Sequence, residues 1–99
     1  MTEKTRHEEG ERVYKVLASA KRLAILHALD GKEMSVDELT KKLKVRKSNI
    51  SQHLAILRYA HLVKMRKDAT RVYYKVTDPK ILDCCVIVRN FVKNHGNFR

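Results

Sequence analysis

The chain is poor in the residues that several classes of protein require. Its 99 residues contain three glycines, and no stretch forms the Gly-rich loop that binds nucleotide phosphates. The two cysteines, Cys84 and Cys85, are adjacent, which fits neither a disulfide framework nor the Cys-x-x-Cys spacing of an oxidoreductase. Because no catalytic constellation is present, we do not expect an enzyme.

Long apolar runs are also missing. The N-terminal segment MTEKTRHEEGER has no apolar centre of the kind found in signal peptides, and no run approaches the ~20 residues of a membrane span. We therefore expect a cytoplasmic protein without a membrane partner. A chain of this length forms one domain and buries only somewhat over ~60% of its unfolded surface, so a second subunit can add to its core.

Acidic residues are scarce in one part of the chain. The net charge is +11, and residues 41–75 carry eleven Lys and Arg residues against Asp68 alone, a segment charge of +10. A basic run is often no more than a solvated surface, but it is also what a protein needs to neutralise phosphates. Its coincidence with the helix described next favours double-stranded DNA as a partner.

That helix is predicted over residues 47–60. Ile50, Leu54 and Leu57 recur at the spacing of one helix face, which we expect to be buried. The opposite side carries short polar residues that can read base edges, and the candidates are Ser48, Asn49, Ser51 and Gln52. A polar face that needs no partner is the simpler alternative.

The preceding segments predict a helix-turn-helix. Residues 1–8 are expected to be a flexible N-terminus, and the folded domain is expected to span residues 9–99, with helices before and after about residue 19. Asp30-Gly31 ends the second helix. Ser35 and Glu38 form a capping box that begins a short helix, and residues 44–46 connect it to the helix at 47–60.

The pattern changes after residue 60. Residues 62–66 and 71–76 alternate apolar and polar side chains and predict a two-stranded hairpin, or wing. Asp78 and Pro79 are predicted to begin a last helix. The fold class is thus mainly α, about five helices plus the wing. Basic residues that can contact phosphates are Lys47, Arg58, Lys64, Arg66, Lys67 and Arg71.

The first and last helices carry more apolar surface than one small domain can cover. We predict that this surface forms a homodimer. The predicted interface residues are Val13, Val16, Ile81, Cys85, Val88 and Val92.

In its order of elements and in its motifs the chain resembles the ArsR/SmtB family of winged-helix repressors, over roughly residues 12–93. The most specific motifs are residues 50–58, Leu62-Val63 and residues 71–74. The resemblance implies a homodimeric repressor that leaves its operator when an effector binds. It also assigns base contacts to the start of the helix at 47–60 and phosphate contacts to Lys47, Arg58 and Arg71.

Several positions depart from the family pattern. Ser35-Val36-Asp37 stands where many members have a cysteine motif, and Asp78, Lys80, Phe91 and Asn94 stand where others bind zinc. His61 and Ala69 replace two expected glycines. His53 is expected to be a half-buried, hydrogen-bonded imidazole rather than a metal ligand.

No cofactor is firmly implied. Cys84 and Cys85 either pack as small apolar residues or form an effector site for a thiophilic metal or metalloid. The runner-up function is a winged-helix module that docks on protein or RNA without an effector.

Overall fold

A computed structural model describes residues 3–96 and shows five helices and a small antiparallel sheet. The elements, in chain order, are α1 (Glu3–Leu17), α2 (Ala20–Ala28), β1 (Met34–Ser35), α3 (Val36–Leu43), α4 (Lys47–Tyr59), β2 (Val63–Asp68), β3 (Arg71–Val76) and α5 (Ile81–Asn94). The strand order in the sheet is β1-β3-β2. No helix in this range is both long and apolar enough to cross a membrane.

The helix-turn-helix matches its prediction. The Ser35 hydroxyl accepts a hydrogen bond from the Glu38 amide at 3.2 Å, and a Glu38 carboxylate oxygen accepts one from the Ser35 amide at 2.9 Å. The two bonds form the capping box that begins α3, and the Ser35 amide, followed by the Ser35 side chain, lowers the pKa of the Glu38 carboxyl. Lys44 ends α3 with a φ of 56°, and α4 begins three residues later.

Two helix boundaries and the number of strands differ from the prediction. α1 begins at Glu3 instead of Glu9, because a helix can extend through polar residues that show no apolar periodicity. The two-residue strand β1 pairs with Tyr73 and Tyr74, which gives the sheet a third strand. Asp78 accepts a hydrogen bond from the Lys80 amide at 3.0 Å in a separate turn, so α5 begins only at Ile81.

The core lies between α2, α4 and the base of the wing. The predicted stripe of α4 is confirmed, since Ile50, Leu54 and Leu57 are at most 1% exposed. α5 adds one buried side chain, Leu82, which the predicted stripe of that helix did not include. The buried residues are Ile25, Leu26, Ala28, Leu29, Met34, Leu39, Ile50, Leu54, Leu57, Leu62, Val63, Val76 and Leu82.

Besides Lys44, two residues at the positions of the expected glycines adopt a left-handed backbone. His61 follows α4 with a φ of 62°, and the amides of His61 and Leu62 donate to the carbonyls of Arg58 and Leu57 at 2.9 Å each. This pair of bonds satisfies two carbonyls in the last turn of α4. Ala69, with a φ of 56°, makes the tip of the wing, so both positions keep the geometry that glycine would supply.

Candidate nucleic-acid interface

The exposed face of α4 is opposite its buried stripe. Ser48, Ser51 and Gln52 are exposed, and Asn49 is half-buried. The buried stripe fixes the rotation of the helix, so these polar side chains must point away from the core. The four predicted base-reading residues therefore occupy the first two turns of one helix.

The N-terminus of α4 is electropositive. Its first turn contains no acidic residue, and Arg46 makes no side-chain hydrogen bond to the first amides of the helix. Those amides and the helix dipole favour a negative group at this end. Lys47 lies there too, with its Nζ 3.1 Å from Oδ1 of Asp37 on α3. Both side chains are largely exposed, so a phosphate can compete with the carboxylate for the ammonium.

The wing separates its basic residues onto two faces. Lys64, Arg66 and Arg71 share one face, because residues paired across the strands lie on the same side and the pairs are Lys64 with Lys75, Arg66 with Tyr73 and Asp68 with Arg71. Lys67 lies on the other face of the hairpin. The same face carries Val63 and Val76, which are buried in the core. Near the wing tip, therefore, positive charge is available on both sides of the hairpin.

Arg66 is already engaged within the chain. Its Nε and one terminal nitrogen donate to the Glu33 carboxylate at 2.9 and 3.2 Å, and its guanidinium lies 5.0 Å from the centre of the Tyr73 ring. The guanidinium lowers the pKa of Glu33. The pair ties β2 to the segment before β1 across β3. Arg66 is thus placed to orient the wing, which the sequence did not indicate because Glu33 is 33 residues away.

Arg58 lies apart from the other predicted phosphate contacts. It is in the last turn of α4 and lines a groove of about 1020 Å³ between α1 and α4. The residues lining this groove are Glu9, Arg12, Val13, Val16, Ala55, Ile56, Arg58, Tyr59, Ala60 and His61. The groove places the C-terminal part of α4 next to Val13 and Val16, the predicted dimer residues of α1.

Apart from Cys85, which is half-buried, the predicted dimer residues divide into two groups. Val13, Val16 and Ile81 pack partly against the chain's own core. Val88 and Val92 are 58% and 47% exposed, and the other large apolar residues exposed on α5 are Val86, Ile87 and Phe91. α5 therefore presents an apolar surface that its own chain leaves in solvent.

Cys84 and Cys85 are free thiols, both half-buried. The Cys84 thiol donates to the Ile81 carbonyl at 3.0 Å. Burial and the neighbouring Cys84 raise the pKa of Cys85, so its thiol is protonated at neutral pH.

The metal positions that the family resemblance implies do not fit a metal. In place of the cysteine motif, Ser35 caps α3, and the Asp78 carboxylate bonds a turn amide. Within residues 3–96 no group of three or more His, Cys, Asp or Glu side chains could hold a metal ion.

His53 is half-buried and hydrogen-bonded, as predicted. Its Nδ1 lies 3.4 Å from a terminal nitrogen of Arg22 on α2. Burial, followed by the charges of Arg22 and Lys21, lowers the pKa of the imidazole. Sequence reasoning did not single out Arg22, because its partner on α4 is 31 residues away.

Comparison with known proteins identifies the family of the chain. The family described as "Bacterial regulatory protein, arsR family" matches residues 19–65. The HTH-type transcriptional regulator KmtR of Mycobacterium tuberculosis is 39% identical over 69 residues, 70% of this chain and 53% of that protein. The transcriptional activator HlyU of Vibrio cholerae is 42% identical over 67 residues, 68% of this chain and 62% of that protein.

Solved structures extend the match beyond the helix-turn-helix. Reduced HlyU from Vibrio cholerae superimposes with a TM-score of 0.78 at 32% identity, covering 89% of this chain and 93% of that one. The homodimeric winged helix-turn-helix DNA-binding domain of Mb0332 from Mycobacterium bovis has a TM-score of 0.80 at 25% identity, covering 96% and 90%.

The curated relatives KmtR and HlyU are regulators rather than enzymes, and the chain spans 53% and 62% of their lengths. The family match covers α2, α3 and α4 and reaches into β2. The structural matches cover 89% and 96% of the chain, and so extend beyond that segment. The chain belongs to the ArsR/SmtB family of winged-helix transcriptional regulators.

Proposed function

We propose that this protein is a homodimeric transcriptional repressor that binds a palindromic operator, with α4 in the major groove and the β2–β3 hairpin as a wing. The exposed polar face of α4 carries this proposal. Gln52 can bond an adenine edge with both amide atoms, and Ser48 and Ser51 can donate or accept. An exposed helix without a partner would more often carry Glu and Lys pairs on this side.

Phosphate contacts would set the position of α4 on the duplex. The electropositive N-terminus of α4 offers Lys47, and the wing offers Lys64, Lys67 and Arg71 on its two faces. Arg71 is exposed near the wing tip, where it can reach the sugar-phosphate backbone beside the groove that α4 occupies. These phosphate contacts would form with DNA of any sequence, whereas the polar face of α4 would discriminate between base sequences.

A homodimer supplies the two-fold symmetry of the proposed operator. Two features support it: the exposed apolar surface of α5, and the homodimeric assembly of the Mb0332 domain. A two-fold pair of α4 helices would read two half-sites of opposite direction about one helical turn apart. HlyU is named an activator, so repression is tested by transcription from a template that carries the operator.

Gln52→Ala and Arg71→Ala should separate the contribution of base contacts from that of phosphate contacts. The DNA is the duplex that the wild-type protein selects from a random-sequence pool, compared with an unselected duplex of equal length. If a dimer neutralises about eight phosphates, log affinity should fall with log salt at a slope near −7. Arg71→Ala should flatten this slope on both duplexes. Gln52→Ala should keep the slope and lose ~1–3 kcal/mol of discrimination.

Two results would count against the proposal. If the wild-type protein selects no duplex, the winged helix docks on something other than DNA. If Gln52→Ala lowers the affinity for both duplexes equally, the exposed face of α4 does not read bases.

Cys84 and Cys85 are proposed as the effector site. They lie on α5 beside the apolar surface proposed for the dimer, and adjacent positions on a helix diverge by about 100°, which strains a disulfide within the pair. Sulfurs from two chains could instead surround one thiophilic metal or metalloid. Such binding would shift the interface helices and change the spacing of the two α4 helices.

The double variant Cys84→Ser, Cys85→Ser should bind the selected duplex normally and lose the response to an effector. Arsenite, cadmium, zinc and a peroxide are titrated into the wild-type complex and followed by anisotropy of the labelled duplex. Cadmium and zinc bind the thiolate and must displace the thiol proton of Cys85, whose pKa is raised. Release of DNA by either metal should therefore strengthen as the pH rises from about 7 toward 8. If nothing displaces wild type, or if the double variant responds equally, the cysteines only pack.

A further inference from the structure

One side chain connects three helices of this protein. Arg22 is half-buried in the first turn of α2, and its Nε donates to the Val16 carbonyl at 2.6 Å. One terminal nitrogen lies 3.5 Å from the Lys15 carbonyl, and the other lies 3.4 Å from Nδ1 of His53. The guanidinium therefore contacts the last turn of α1 and the middle of α4 at the same time.

Each contact suits a guanidinium in particular. The last carbonyls of a helix have no partner within the helix and carry the negative end of its dipole, so a cation at Lys15 and Val16 is favoured. A guanidinium has five N–H donors fixed in one plane and can serve acceptors that lie in different directions. A lysine ammonium in the same place is a compact charge without that planar fork.

The contact to α4 requires a neutral imidazole. Nδ1 of His53 can accept from Arg22 only when it carries no proton, which places the single ring proton on Nε2. Burial and the two neighbouring cations, Arg22 and Lys21, favour this neutral form by lowering the pKa of His53. The side chain of Lys15, the residue whose carbonyl Arg22 contacts, forms an ion pair with Glu11 at 3.1 Å.

The helices that Arg22 joins have different proposed tasks. α1 carries Val13 and Val16, which are proposed to face the second subunit, and α4 carries the proposed base-reading residues. Apolar packing between these helices is not directional, whereas three N–H contacts from one planar group specify an orientation. In a dimer, that orientation sets the distance between the two α4 helices, which must match successive major grooves about 34 Å apart.

We propose that Arg22 is a positioning residue for DNA binding, which holds the C-terminal end of α1 against His53 of α4 and so sets the spacing of the two recognition helices. This inference rests on the proposed function. It assigns Arg22 no contact with DNA. Its effect should therefore be visible in how the protein tolerates changes in half-site spacing, and not in how it binds one half-site.

Arg22→Lys is the test variant, because it keeps the positive charge and most of the length. The probes are the duplex that wild type selects from a random pool, the same duplex with one base pair added or removed between its half-sites, and a single half-site. The affinity of wild type should be highest at one half-site spacing and fall sharply when one base pair is added or removed. Arg22→Lys should bind the single half-site with the affinity of wild type. On the duplex with optimal half-site spacing its affinity should fall about tenfold or more, so that it differs little from its affinity for the altered spacings.

Lys21→Gln is the matched control, since it removes a positive charge from the exposed neighbour on the same helix. It should keep the wild-type spacing optimum. Thermal unfolding of all variants is measured in parallel. A loss of affinity by Arg22→Lys that is equal on all probes would mean that Arg22 only stabilises the fold, and it would overturn the proposal.

His53→Asn gives a second, independent measurement. The amide oxygen of asparagine can replace Nδ1 as an acceptor, and it does not titrate. In wild type, protonation of His53 removes the acceptor and brings a cation to Arg22 and Lys21. Because the pKa of His53 lies below its ordinary value of about 6.5, the contact persists at neutral pH and breaks only as the pH falls below that value.

The spacing optimum of wild type should therefore broaden in acid, whereas that of His53→Asn should remain sharp. If wild type selects no duplex at all, the proposed function fails and this inference fails with it. If wild type selects a duplex but Arg22→Lys keeps the wild-type affinity and spacing optimum, only the role given to Arg22 is wrong. Equal broadening of wild type and His53→Asn in acid would likewise overturn that role.

Discussion

Replacing Val88 by Asp should split the proposed dimer into monomers and remove tight binding to the selected duplex. Val88 is 58% exposed on α5, beside Val92 and Cys85, so a monomer tolerates the carboxylate in solvent. In the dimer the same carboxylate would be buried without a partner. Removing one partner from a buried charge pair costs about 3–5 kcal/mol, and an unpaired buried carboxylate belongs to the same range.

That cost corresponds to an increase of about a hundredfold or more in the dimer dissociation constant. Sedimentation at micromolar concentration gives the oligomeric state, and duplex titration gives the affinity. Asn90→Asp is the matched control, because Asn90 lies two residues along the same helix, half a turn around it, and is also exposed. The control should remain dimeric. A wild-type protein that sediments as a monomer would contradict the interface and, with it, the two-fold operator.

The sequence predicts best those features that are encoded within a few residues. The capping box of α3 and the buried stripe of α4 depend on spacings of three, four and seven residues, and both were confirmed. The left-handed residues after α4 and at the wing tip kept their conformation although neither is glycine, because the surrounding helix end and hairpin determine the backbone there. Local patterns therefore fixed the helix-turn-helix and the wing.

Features that depend on distant contacts were missed. β1 is two residues long and has no periodicity of its own, so only its pairing with β3 defines it. Arg66 was predicted as a phosphate contact, yet Glu33 holds it from outside the hairpin. Likewise, no spacing in the sequence indicates that Arg22 meets His53. These contacts form only when the tertiary structure brings separate elements together.

The placement of α5 shows a related limit of prediction from periodicity. Its predicted stripe contained two of the five large apolar residues that stay exposed on this helix, Val88 and Val92. Leu82, which anchors the helix on its own core, lies about 100° from Ile81 and was not part of the stripe. A helix that serves two interfaces carries two overlapping apolar faces, and periodicity alone does not separate them.

Leu54→Ala should cost about 2–5 kcal/mol of unfolding free energy, since truncation of a fully buried leucine removes its transfer energy and leaves a cavity. Leu54 is 1% exposed in the middle of the α4 stripe. A small domain is stable by only ~5–15 kcal/mol in total, so the loss is a large fraction of the whole. For a domain of 60–100 residues, each kcal/mol lowers the melting temperature by about 4–8 °C.

Ile56→Ala is the matched control for Leu54→Ala, because it removes the same number of carbons from the same helix at a site that is 40% exposed. Urea unfolding is compared at one chain concentration, since the stability of a dimer depends on concentration. Leu54→Ala should lower the midpoint much more than Ile56→Ala, with an unchanged slope. The surviving folded fraction of Leu54→Ala should still prefer the selected duplex, because Leu54 holds α4 from beneath and touches no base. Equal midpoints would mean that α4 is rotated relative to the core, and Ser48, Ser51 and Gln52 would then not form its outward face.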